Sequence, residues 1–136
     1  MQLDPRSITV MTALMAAIMG GVLLGVRRNY PPTIRGLLPW ALAPMTCALA
    51  AGVYALQGLL PEFLVAQTGN VLLLTGCGLF YFGSQRFFGQ RVTWRLWGAI
   101  ALLSLAVLTW FLVWPDYRVR MVVFTGTMTA CVLAHA

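Results

Sequence analysis

Five long stretches without a charged residue organise this chain. They cover residues 8–26, 37–57, 63–82, 96–114 and 121–136. Each approaches the ~20 residues that carry a helix across a bilayer core about 30 Å thick. The pattern predicts an all-α polytopic membrane protein, a helical bundle of five transmembrane helices. The fifth stretch is somewhat short and has no flank. Residues 1–136 therefore read as one transmembrane domain, truncated at its C-terminal side.

The segments between the stretches look like membrane boundaries. Arg27, Arg28, Tyr30, Pro31, Pro32 and Arg35 follow the first span. There the prolines stop a helix and the arginines anchor it. Pro39 fits the start of the second helix, where a missing N–H costs little, and Pro44 should kink it. A turn follows over 58–62. The third span runs into Tyr81, Phe82, Arg86, Phe87 and Arg91, and Trp94 and Trp97 continue this aromatic belt into span four. Trp110, Trp114, Pro115 and Tyr117 mark its other end. The first span does not read as a cleavable signal peptide: Asp4 stands beside Arg6, and no A-x-A site follows. No internal repeat or low-complexity linker is evident.

Composition strengthens this reading. Hydrophobic residues make up 60% of the 136 and charged residues 9%, against roughly 25% charged in a soluble domain. Five spans leave no room for a soluble catalytic domain. The net charge of +6 does not point to nucleic acid, because the arginines flank apolar spans instead of forming a patch. Anionic lipid headgroups are the partner this placement predicts. Arginine without lysine suggests a GC-rich bacterial genome. Cys47, Cys77 and Cys131 all fall inside spans. An odd number there argues against a disulfide framework and for small buried hydrophobes.

Charge also sets the orientation. With five spans, Asp4, Arg6, Glu62, Asp116, Arg118 and Arg120 fall on one face. Arg27, Arg28, Arg35, Arg86, Arg91 and Arg95 fall on the other. Six basic residues against three place the second face in the cytoplasm by the positive-inside rule. The N-terminus is then outside, and the protein is a multi-pass resident of a bacterial inner membrane.

Candidate chemistry is sparse. No Asp, Glu, Lys or Arg lies within a span, which counts against a proton-coupled transporter or pump. The sets that hydrolysis would need are missing as well. Met11, Met15 and Met19 share a helix face, and thioethers bind Cu(I). Met45 and the Cys131/His135 pair could add soft ligands, but no diagnostic metal spacing accompanies them. The plainer reading is packing, and no cofactor or metal is expected. Ala17, Gly21 and Gly25 stand four apart, as do Ala48 and Gly52, and Gly126, Ala130 and Ala134. Such spacing lets helix backbones approach, either in a homodimer or among the chain's own spans. Asn70, with Gln67 one turn earlier, must find a polar partner in hydrocarbon. An interhelical hydroxyl is one solution and a small ligand another. Thr125, Thr127 and Thr129 are expected to bond their own helix backbone.

A resemblance covers nearly the whole chain. It rests on Gly58-Leu59-Leu60-Pro61-Glu62-Phe63-Leu64, on Asn70-Val71-Leu72-Leu73-Leu74-Thr75-Gly76 and on Tyr81-Phe82-Gly83-Ser84-Gln85-Arg86-Phe87-Phe88-Gly89. Leu3-Asp4-Pro5-Arg6, the segment from Arg35-Gly36-Leu37 to Trp40 and Tyr117-Arg118-Val119-Arg120 fit too. These resemble the N-terminal membrane region of proteobacterial GGDEF-type diguanylate cyclases. The resemblance implies a sensor or anchor region that localises and regulates a cytoplasmic diguanylate cyclase making cyclic di-GMP. Homodimerisation fits, since two GTP-loaded domains must meet. The catalytic domain would lie C-terminal, in a longer parent. The chain itself holds no Gly-Gly-Asp-Glu-Phe segment and is not expected to be an enzyme. The rival readings are a small transporter or channel subunit, for which Asn70 is the candidate residue, and a membrane scaffold.

Overall fold

In a computed structural model the described residues are 4–31, 34–91, 94–113 and 117–133. All the elements are helices: α1 (Pro5–Asn29), α2 (Leu37–Ala55), α3 (Glu62–Phe87), α4 (Trp94–Val113) and α5 (Tyr117–Leu133). Among the described residues there is no strand, only an isolated bridge between Gln57 and Leu60. The chain divides into two units, 1–91 with α1–α3 and 92–136 with α4 and α5.

Local chemistry sets the helix ends. Pro5 opens α1, where its missing N–H would have no partner in any case. Gly36, at φ 102°, adopts a left-handed conformation to turn the chain into α2. Pro39 falls in the first turn of α2, where no N–H is required. Pro44 lies inside the helix, which continues to Ala55. Glu62 in the first turn of α3 and Arg86 in its last turn both complement the helix macrodipole. The end of α3 is a Schellman motif. Gln90 N–H donates to the Gln85 carbonyl at 2.8 Å, Gly89 N–H donates to that of Arg86 at 3.3 Å, and Gly89 sits at φ 68°.

In the first unit α2 packs on both α1 and α3. The α2–α3 seam is antiparallel and repeats every seven residues, almost two helical turns. Trp40, Cys47 and Tyr54 of α2 meet Gly83, Gly76 and Gly69 of α3. A Cβ added at Gly69 would lie 2.6 Å from the Tyr54 ring, and one at Gly76 would lie 2.7 Å from Cys47 Sγ. At Gly83 it would run into the Trp40 indole. Three large or medium side chains thus fill spaces that three glycines leave. Between α1 and α2 the close contact is Gly20, where an added Cβ would come within 2.7 Å of Met45. This close packing matters because lipid tails are as apolar as leucine, so burial alone does not drive membrane helices together.

Three helices are long and apolar enough to cross a membrane: Ser7–Asn29 of α1, α2 and α3. Their outer faces are apolar as well, with Ile8, Met11, Met15, Val22, Leu49 and Leu64 all exposed. An outward face of this kind suits hydrocarbon and not water. Five spans were expected, and the described residues supply three. The described part of α5 has 17 residues, roughly 26 Å of helix, and residues 114–116 and 134–136 on either side of it lie outside the described residues. The 20-residue α4 carries many side chains outside the described residues. The helices also overrun the charge-free stretches, α1 at both ends and α5 at its start, and α3 runs past Phe82 to Phe87, with Gly83 packed on Trp40 instead of starting a turn.

Candidate functional site

The first unit is polarised along its length. Asp4 precedes α1 and Glu62 opens α3, whereas Arg27 and Arg28 occupy the last turn of α1 and Arg86 that of α3. Because α2 runs back between them, Arg35 at its start joins the arginine end. Asp4 and Glu62, with Arg6 in the first turn of α1, therefore stand at one end of three antiparallel helices, and Arg27, Arg28, Arg35 and Arg86 at the other.

At the arginine end a cleft of about 1080 Å³ opens between α1, the connection to α2 and the end of α3. Arg27, Arg28, Arg35 and Arg86 line it. Toward the helix bodies its walls turn apolar, with Leu24, Ile34, Leu37 and Leu38 beside Gly21 and Gly25. All four arginine residues are exposed. Of the six arginines expected to anchor the topology, four thus share one cleft. Arg91 is exposed beyond α3, and Arg95 is exposed in the first turn of α4.

Beside the cleft, Trp40 fixes the junction of α2 with α3. Its indole N–H reaches the Phe80 carbonyl and Ser84 Oγ, both at 3.3 Å, and its ring stacks on Phe87 with centroids 5.2 Å apart. Gly36 and Gly83 bring the two backbones into contact there: a Cβ on Gly83 would also lie 3.1 Å from the Gly36 carbonyl oxygen.

At the other end Asn70 is buried, 6% exposed, and accepts a hydrogen bond from the Tyr54 hydroxyl at 2.7 Å. An interhelical hydroxyl therefore meets this amide, and Gln67 is half-buried one turn earlier. A second cavity of about 650 Å³ lies near this end, with Thr9, Thr12, Cys47, Tyr54 and Gln57 among its walls.

The remaining candidates are dispersed. Met11, Met15 and Met19 share an outward face of α1, with Met15 72% exposed, while Met45 packs against Gly20 on another side. Cys47 and Cys77 are half-buried. The Cys131 side chain, Asp116, Ala134 and His135 lie outside the described residues. Among the described residues no three His, Cys, Asp or Glu side chains gather. Gly21 and Gly25 are exposed, and an added Cβ on either meets nothing within 4 Å. Ala17 is exposed beside them. The chain's own close packing uses Gly20, one residue away from this stripe. Gly52 and Gly126 are likewise open. Thr127 and Thr129 each bond a carbonyl of their own helix, at 2.8 and 2.9 Å.

The structural residues of the first unit include several that the four-residue spacing of small residues does not select. Gly69, Gly76 and Gly83, and Trp40, Cys47 and Tyr54, carry a signal in the sequence. Each set repeats at seven, once glycines and large side chains are read separately. Gly36 and Gly20 carry no comparable pattern. No known protein family, no curated protein and no solved structure matches the chain.

Proposed function

We propose that this chain is a membrane-embedded anchor and sensor region that holds and regulates a cytoplasmic diguanylate cyclase at the inner membrane of a bacterium. In this reading all five helices cross the bilayer. The N-terminus is outside and the arginine end faces the cytoplasm. The observation that carries the anchoring role is the uneven charge of three antiparallel apolar helices, with Arg27, Arg28, Arg35 and Arg86 at one end against Arg6, Asp4 and Glu62 at the other. The positive-inside rule then assigns the arginine end to the cytoplasm. The cyclase half rests on the resemblance of the segments around Pro61, Asn70 and Phe87.

The chain's own part is anchoring and not catalysis. Diguanylate cyclase chemistry holds triphosphates with magnesium through hard oxygen ligands. Asp4 and Glu62, the described carboxylates, stand away from the arginine end. The transporter reading loses ground because Asn70, its candidate residue, is engaged by Tyr54.

A topology reporter active only in the periplasm tests the anchoring role. Fusions after Glu62 are expected to give signal, and fusions after Arg35 and Arg91 to give none. Signal at Arg35 would reverse the orientation and remove the cytoplasmic partner. The chain 1–136 alone, supplied with GTP and Mg²⁺, is expected to make no cyclic di-GMP, and product formation would refute a purely anchoring role.

A further inference from the structure

Arginines from three separate parts of the chain meet at one cleft, and elementary electrostatics asks why. Like charges gathered in one place repel. Arg27, Arg28 and Arg86 have an ordinary explanation, since they end α1 and α3, where a cation complements the macrodipole. Arg35 does not. It immediately precedes Gly36, the N-cap of α2, at the positive end of that helix. No described carboxylate stands at this end to offset it. An anion seated among the four guanidinium groups removes both the mutual repulsion and the unfavourable placement of Arg35.

The cleft also specifies what carries the anion. Below the arginines its wall is apolar and runs along α1, where Gly21 and Gly25 leave a channel that no described side chain enters. A free phosphate would use the arginines and leave this channel unfilled. We infer that the cleft is a binding site for one anionic phospholipid, its phosphate held by Arg27, Arg28, Arg35 and Arg86 and an acyl chain lying along Gly21 and Gly25. Guanidinium groups suit this role because their planar fork matches phosphate oxygens in pairs. Basic pockets between membrane helices are recognised sites for anionic headgroups. The inference rests on the membrane reading and not on the cyclase half of the proposal.

The test uses the full chain in nanodiscs or mild detergent. Retained lipid is counted by native mass spectrometry after incubation with phosphatidylglycerol and phosphatidylcholine of matched acyl chains. Phosphatidylglycerol should be retained in preference. Arg35→Gln should lower its retention about fivefold, the effect of one arginine near an anionic surface. Arg35→Lys should keep part of it, which also reports a folded protein, and Arg91→Gln, outside the cleft, should leave it unchanged. Gly25→Leu fills the channel without changing charge and should lower retention as well.

Several results would overturn the site. Equal retention of the two lipids would do so, as would an equal fall with Arg91→Gln, which would indicate only the general surface potential. Full displacement by millimolar inorganic phosphate would mean an anion site without lipid. If Gly25→Leu abolished bilayer crosslinking of two chains and spared lipid retention, the channel would belong to a second copy. A chain that passes the topology test yet shows no lipid selectivity refutes the lipid site and leaves the anchoring role standing.

Discussion

Adding one methyl group at Gly83 should have the opposite effect from adding one at Gly21. At Gly83 the new Cβ runs into the Trp40 indole. That ring is rigid and held by one indole N–H shared between two acceptors, each at 3.3 Å, and by a stack on Phe87. Moving it aside sacrifices these contacts, at about 1 kcal/mol for the shared hydrogen bond and about 0.5–1.5 kcal/mol for the stack. The loss is about 1.5–2.5 kcal/mol, within the usual range for overpacking. Alanine recovers about 1 kcal/mol of helix propensity. Gly83→Ala is therefore expected to destabilise the first unit by about 0.5–1.5 kcal/mol. At Gly21 the added Cβ meets nothing within 4 Å, so only the propensity term remains and stability should rise by up to about 1 kcal/mol. Unfolding in mild detergent by titration with SDS, followed by far-ultraviolet circular dichroism, measures both. The double variant Gly83→Ala with Trp40→Leu should show coupling, because the smaller side chain vacates the space. Equal shifts for Gly83→Ala and Gly21→Ala, or no coupling with Trp40→Leu, would refute the glycine seam.

Two further perturbations probe the other contacts. Tyr54→Phe strips the buried Asn70 of its donor, and a double-mutant cycle with Asn70→Ala in the same assay should give a coupling of about 0.6–1.7 kcal/mol; a coupling near zero would remove this bond from the structural account. Gly89→Ala forces a side chain into a left-handed position at φ 68° and should cost about 1–2 kcal/mol, with Gly89→Asn milder; thermal unfolding in detergent checks the order of the two.

The helices were legible in the sequence because charge-free stretches and aromatic–arginine boundaries both follow from the bilayer. The start of α2 at Leu37 and the turn around Gly58 needed nothing more. Helix rotation was much less legible. In water an apolar stripe reveals which face is buried, but here every face is apolar, so pattern does not separate a lipid-facing side from a packed one. The four-residue spacing accordingly selected Gly21 and Gly25, while Gly20 makes the contact with α2. Gly83, followed by Ser84, resembled a boundary, and its packing role depends on Trp40, more than forty positions earlier in the chain. Asn70 was the easier residue, since an amide in hydrocarbon must have a partner. That Tyr54 supplies it depends on the antiparallel register.

The seam and the cleft divide the chain's tasks, and this division explains the arrangement of its arginines. The glycine seam holds α2 against α3 by shape, with Trp40, Cys47 and Tyr54 each filling a space left by a glycine. Arg27, Arg28 and Arg35 are exposed and take no part in it. They are therefore open to being positioned for orientation and for an anion. The two systems touch at one place. Gly36 meets Gly83 between the backbones of α2 and α3, Arg35 is its immediate neighbour, and Arg86 lies three residues beyond Gly83. Residue 36 must be small to allow that approach and must tolerate φ 102°, two demands that only glycine meets together. Any side chain there would separate α2 from α3 at the mouth of the cleft and move Arg35 away from Arg86. Gly36→Ala should consequently reduce both stability and phosphatidylglycerol retention, whereas Gly69→Ala, at the far end of the seam, should reduce stability alone. Loss of lipid retention to the same degree in both variants would show that retention follows the general integrity of the fold and not the geometry of the cleft.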